Sequence, residues 1–297
     1  MSNDASEQFN AVCVVDCKNK LGEVPVWDVA EQALYWVDIE GCLLQRFELA
    51  SGAMRSWRLP ERVCALALRK KSGLVLALAS GFAFFDPATG ALERLAAPEA
   101  HLPNNRMNDG KCDRRGRFWA GTMDDRLTSP TGALYRLDPD LSCRRMESGI
   151  GISNSLAWSP DDRIFYFADT LRRTIFAYDF DAETGAISNR RVFTDCIDQP
   201  GAPDGSTIDA EGYLWNAQWD GWRLVRYAPD GRIDRVVGLP VQKPTSCMFG
   251  GPDLATLYVT SAVWDLTGEA LAKQPNAGGV FALDVGVRGL PESRFAR

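Results

Sequence analysis

A single histidine, His101, stands among 297 residues, and that scarcity removes several mechanisms at once. A Ser-His-Asp or Cys-His nucleophile system would have to use it, yet it lies in "PEAHLPNN" with no nucleophile-elbow sequence to serve. A zinc site of the usual His and Cys type has no ligand pattern either. The eight cysteines, at positions 13, 17, 42, 64, 112, 143, 196 and 247, contain no C-x-x-C pair. Their irregular spacing, with a start "MSNDASEQFN" that lacks the basic segment and apolar core of an export signal, predicts reduced thiols packed as small hydrophobes in a cytoplasmic protein. No apolar run is long enough to span a bilayer. No basic stripe accompanies the net charge of -6, so neither a membrane nor a nucleic-acid partner is expected. Catalysis in such a chain has to run on carboxylates and amides, with or without a hard metal ion.

What the chain does have is repetition. With 45% hydrophobic and 24% charged residues it can bury a large core, but helical periodicity is scarce. Instead "ALYWVDI", "GLVLALAS", "GRFWAGTM", "RIFYFADT", "GYLWNAQW" and "TLYVTSAV" each read as a buried strand rich in aromatic and β-branched residues. These units begin near Leu34, Leu74, Phe118, Phe165, Leu214 and Leu257, a spacing of roughly 40 to 50 residues that suits propeller blades. A turn built on Asp and Gly, as in "FDPATG", "DFDAETG" and "YAPDG", then leads to a polar outer strand, which makes four strands per blade. The strand "FNAVCVVDC", Phe9 to Cys17, can complete the last blade and remove the exposed sheet edges. The expected fold is all-β: one six-bladed β-propeller of four-stranded antiparallel blades spanning residues 1–297, with residues 1–8 disordered or loosely packed. A pair of β-sandwiches is the second choice.

Propellers carry chemistry at the mouth of the central channel, on loops leading into the innermost strands. Four polar stretches fall at that point of their repeats: "LGEVPVWD", "NNRMNDG", "GISNSLAWSPDD" and "GAPDGSTIDAEG". Among them Glu23, Asn154 and Asp204 offer two carboxylates and an amide oxygen, a set that suits a hard divalent cation. The same residue types also cap and turn loops, so from chemistry alone both readings stand. "SPDD" (159–162) and "DAEG" (209–212) read as hairpin turns. Trp219 and Trp222 are either core aromatics or a wall on which a sugar face stacks.

At these stretches the sequence resembles the senescence marker protein/gluconolactonase family, whose animal members are called regucalcin. The resemblance runs through "LGEVPVWD", "NNRMNDGKCD", "GISNSLAWSPDD" and "APDGSTIDAEGYLW", and through "KPTSCMFGGPDLATLYVTSA" and "LAKQPNAGGVFALDVGVRG", in order over nearly the whole chain. It implies a propeller lactonase with one divalent metal at the channel mouth. Glu23, Asn154 and Asp204 match the family's ligand motifs, and Arg106 and Asn108 match the residues that contact the sugar lactone. Asn104, Asn105 and Asp109 are assigned to shaping the backbone. The chain departs from the animal members after "GTM", where "MDDRLTSPTGALY" is short and brings Asp124, Asp125 and Arg126 near the rim; lid residues therefore do not transfer one to one.

The expected activity is hydrolysis of an aldonolactone, pentono- or hexono-, with Asp204 as general base, by a monomer or weak homodimer. An oxygen-only site accepts calcium, magnesium, manganese, zinc or ferrous iron. Two alternatives keep the fold: a metal-dependent organophosphate or aryl-ester hydrolase, and a non-catalytic calcium-binding regulator.

Overall fold

The computed structural model describes residues 9–297, so the expectation for residues 1–8 lies outside the described residues. These form six four-stranded antiparallel sheets and one short helix, Gly268–Ala272, the six-bladed propeller expected from the repeat. In five of the six blades the sheet order follows the chain from the innermost strand outward, as in Gly22–Asp28, Ala33–Asp38, Leu43–Glu48 and Met54–Arg58. The first two of these are buried throughout and the fourth is mostly exposed, as befits an edge facing solvent on one side. Ring closure is also as expected. The N-terminal strand Val12–Val15 pairs with Val280–Asp284 as the outermost strand of blade six.

One correction concerns the polar stretches. They are not loops that lead into the inner strands; they are the inner strands, namely Gly22–Asp28, Asn105–Cys112, Ser153–Trp158 and Ala202–Ile208, joined by Val63–Leu68 and Pro244–Gly250 from the other two blades. The apolar runs picked out in the sequence are second strands, buried between blades. Inner strands tolerate polar residues because one face lines a channel rather than a neighbouring blade. All six also break register at the same place, between Glu23 and Val26, Val63 and Ala65, Met107 and Gly110, Asn154 and Ala157, Pro203 and Ser206, and Pro244 and Ser246. A bulge re-aims side chains away from strict alternation.

The hairpin turns are as expected and do more than turn. Asp209 accepts from the backbone N–H of Glu211 and Tyr213, from the indole of Trp215 at 2.9 Å and from Arg226. Asp113 repeats the pattern with Arg115, Arg117 and Trp119. The spacing D-x-x-G-x-x-W thus gives a buried tryptophan its hydrogen-bond acceptor.

The far end of the channel is crossed by the C-terminal segment. Arg288 and Gly289 bond blades five and six, Lys111 pairs with Glu292, Phe295 exchanges backbone bonds with Leu68 and Lys70 of blade two, and Ala296 donates to Gly116 of blade three. Gly116 has φ +77, and a Cβ there would lie 2.5 Å from that of Ala296, so only glycine permits the approach. Phe295 is fully buried in the core shared by the first blades. Phe295→Ala is expected to cost about 3–5 kcal/mol in chemical denaturation; a loss under about 1 kcal/mol would show that the segment is only laid over the ring. All eight cysteines are unpaired, in line with reduced thiols. No described helix is long and apolar enough to cross a membrane.

Candidate functional site

The inner strands all start at the same end of the ring, and residues at or just before their starts line one cavity of about 520 Å³. Glu23, Arg106, Asn108, Asn154 and Asp204, drawn from blades one, three, four and five, all face it. Each is nearly buried from bulk solvent. The bulges explain how: Val24 and Ser155, directly after Glu23 and Asn154, have φ of +46 and +67. A β-branched residue in that region is strained, and strain of this kind is held at sites where geometry matters.

Glu23 and Asp204 are in hydrogen-bonding contact and close to the Asp109 carboxylate. Burial first, and then the charge of Asp109, pushes the Glu23 carboxyl up to about 8. Burial and then the neighbouring Glu23 hold Asp204 well above the ordinary carboxylate range. Arg106 offsets the Glu23 charge only in part, because its Nε donates to Asp125 at 2.8 Å and its Nη1 to Asn108 Oδ1 at 2.7 Å and the Met107 carbonyl. Among the described residues no three His, Cys, Asp or Glu side chains are set to hold a metal. A cation here would draw on the two carboxylates, the amide oxygen of Asn154, and water for the rest of its shell. That donor set fits a hard divalent ion, whose charge would favour the ionised form of two buried carboxyls that Arg106 offsets only in part.

The pair has a consequence for chelated protein. Because the folded value of Glu23 lies above its unfolded one, the contribution of the protonated form is complete below about pH 4 and is lost as pH rises towards about 8. The melting temperature of chelated protein is expected to fall across that interval, and Glu23→Gln to flatten the fall. A flat wild-type profile would contradict the burial of the pair.

Other residues were not found in the sequence reading. Arg62, directly before the inner strand of blade two, grips Asp125 at 3.1 and 2.8 Å and Glu40 at 2.9 Å. Burial raises the Asp125 carboxyl, but hydrogen bonds from Arg62 and Arg106 outweigh it and hold it below its usual value. Lys243, before the inner strand of blade six, pairs with Asp220 at 2.7 Å and sits 4.3 Å over the Trp219 ring. The signal available was position: both precede the inner strand of a blade whose opening had not been read as polar.

Of the short segment after Met123, Asp125 and Leu127 line the cavity. Asp124 instead turns back to accept from Thr128 and from the backbone of Arg126 and Ser129, and Arg126 is exposed. Trp219 lines the cavity but Trp222 does not, whereas Trp264, unread in the sequence, does. Asn105 holds Glu99 and Thr131, and Asp109 accepts from Ser155 N–H, so both shape the backbone as expected. Asp109 additionally charges the site. His101 is exposed and outside the cavity.

The profile of the SMP-30/gluconolactonase/LRE-like region matches residues 21–263, which reach from the first inner strand through the second strand of blade six. The chain belongs to the SMP-30/gluconolactonase family. It is 40% identical over 291 residues to regucalcin of Gallus gallus, covering 96% of this chain and 97% of that one. To L-arabinolactonase of Azospirillum brasilense it is 41% identical over 290 residues, covering 96% and 95%. The crystal structure of a calcium-binding protein, regucalcin, from Agrobacterium tumefaciens superposes with a TM-score of 0.94 at 33% identity, covering 98% of each chain. Relatives of this family member therefore include a protein named as a lactonase and one named as binding calcium.

Proposed function

We propose that the protein hydrolyses a sugar-derived aldonolactone to the open-chain acid with the help of one divalent cation. The observation that carries this reading is the meeting of Glu23, Asn154 and Asp204 beside Arg106 and Asn108 in one cavity; the lactonase name of a 41% identical relative supports the substrate class. In this reading Glu23, Asn154 and Asp204 hold the cation. When bound it supplies Lewis-acid polarisation of the lactone carbonyl and acidifies water. Asp204 accepts the proton of the attacking water at a carboxylate oxygen and returns it to the ring oxygen as the acyl–oxygen bond breaks, giving the free hydroxyl of the open-chain acid. Arg106 directs its guanidinium at the oxygen on which charge builds, with Asp125 fixing its Nε edge. Asn108 gives one lone pair of Oδ1 to Arg106 and offers the other to a ring hydroxyl. Trp219 and Trp264 supply apolar walls that exclude water from the ring face.

The test is a panel of pentono- and hexonolactones, with a phosphotriester and an aryl ester alongside, assayed after chelation and again after adding calcium, magnesium, manganese, zinc or ferrous iron. Lactone turnover that vanishes on chelation and returns with metal supports the reading. Turnover that survives chelation, or preference for the phosphotriester or aryl ester, overturns it. Cation binding without lactone turnover points to a regulatory calcium-binding protein instead.

A further inference from the structure

We propose that Thr170 is a positioning residue that sets the amide of Asn154 with its oxygen toward the cation site. The inference rests on the reading of Asn154 as a ligand. Thr170 follows the second strand of blade four, Ile164–Asp169, and its backbone N–H donates to Ile152 at 3.0 Å, so it is pinned across the hairpin from Asn154.

Its hydroxyl donates to the carbonyl of Pro203 at 2.7 Å and accepts from Asn154 Nδ2 at 2.8 Å. A carbonyl can only accept, so the single hydroxyl proton is committed to Pro203, and the hydroxyl can take only a donor from Asn154. That donor is the amide nitrogen, which leaves Oδ1 on the cavity side. There Oδ1 accepts from Asn108 Nδ2 at 3.1 Å. The far end is equally committed: Asn108 Nδ2 also donates to the Ser153 carbonyl at 2.9 Å, and its Oδ1 accepts from the Arg106 guanidinium, which can only donate. One chain of bonds, with a carbonyl at one end and a guanidinium at the other, therefore admits one orientation of both amides.

The same chain ties the peptide preceding Asp204, through Pro203, to Asn154. Without the Thr170 hydroxyl the Asn154 amide is free to turn, and a turned amide presents NH₂ to a cation. Residues that orient ligands in this way typically change metal affinity by about 10–100-fold.

The experiment titrates Mn²⁺ into chelated protein by calorimetry, well below the melting temperature. Thr170→Val, which keeps the shape and removes the hydroxyl, is expected to weaken Mn²⁺ binding by about 10–100-fold, and Thr170→Ser to restore it. The decisive comparison repeats Thr170→Val in an Asn154→Asp background. A carboxylate has two equivalent oxygens and no orientation to select, so the loss should largely disappear there. Equal losses in both backgrounds, or wild-type binding by Thr170→Val, would overturn the inference. If the unmutated protein binds no Mn²⁺, the ligand reading of Asn154 falls too; if it binds and Thr170→Val binds equally, only the role of Thr170 falls.

Discussion

Asp204→Ala is expected to lower kcat/KM for lactone hydrolysis by more than about 100-fold, since loss of a ligand exceeds the 10–100-fold effect of residues that only orient ligands, while chelated protein melts no lower than the unmutated chain. The two halves of that result have one cause. Asp204 and Glu23 are buried against each other with Asp109 close by, and this raises both carboxyls. In the proposed site the pair holds a cation; without one, ionising both carboxyls is opposed by burial and mutual repulsion, a cost that Ala removes. The Asp204 backbone carbonyl still accepts from Asn216 Nδ2 at 2.8 Å, so the inner strand of blade five keeps its anchor. Activity is read with saturating metal and stability by thermal melting after chelation. Retained activity would remove Asp204 from both of its roles, and a collapsed melting temperature would make it a structural residue.

Arg106→Ala is expected to cost roughly 3–4 kcal/mol in transition-state stabilisation, as for the loss of one oxyanion donor, with cation affinity changed far less. Arg106 is held from three directions, by Asp125, Asn108 and the Met107 carbonyl, so its guanidinium is preorganised. Arg106→Lys is expected to rescue little, because an ammonium cannot reproduce a planar fork bonded along two edges. The comparison needs kcat and KM separately, together with a Mn²⁺ titration. Loss of bound cation in Arg106→Ala, with catalysis per bound metal intact, would transfer Arg106 from the substrate to the metal. Asp125 makes the outcome informative in a second way: Arg62 still holds it in the variant, so the short segment after Met123 stays in place and the loss belongs to the guanidinium.

Much of the fold was legible because its signals are local. A buried strand such as "RIFYFADT" and a turn such as "DAEG" are written in consecutive residues, and six copies at a steady interval specify blades. The assignment of polar stretches to loops failed for a physical reason: an inner strand that faces a channel has the composition of a loop. Glu23, Asn154 and Asp204 could be grouped from their types and equivalent positions in the repeat, and the structure brings all three to one cavity. Arg62 and Lys243 could not, because each is an ordinary cation until a carboxylate far along the chain, 63 residues away for Asp125, is brought to it.

By itself, then, the order of residues determined the number of blades, the closure of the ring by its first strand, the reduced cysteines and the supply of oxygen donors in place of histidine. The tertiary structure alone decided which way those donors point. Bulges at equivalent places in all six inner strands turn side chains into the channel, and bonds between residues such as Asn108 and Asn154, 46 positions apart, fix their orientation. Periodicity reports only on near neighbours along the chain. Convergence of charges that repel one another comes from closing the ring, whose buried core holds them together.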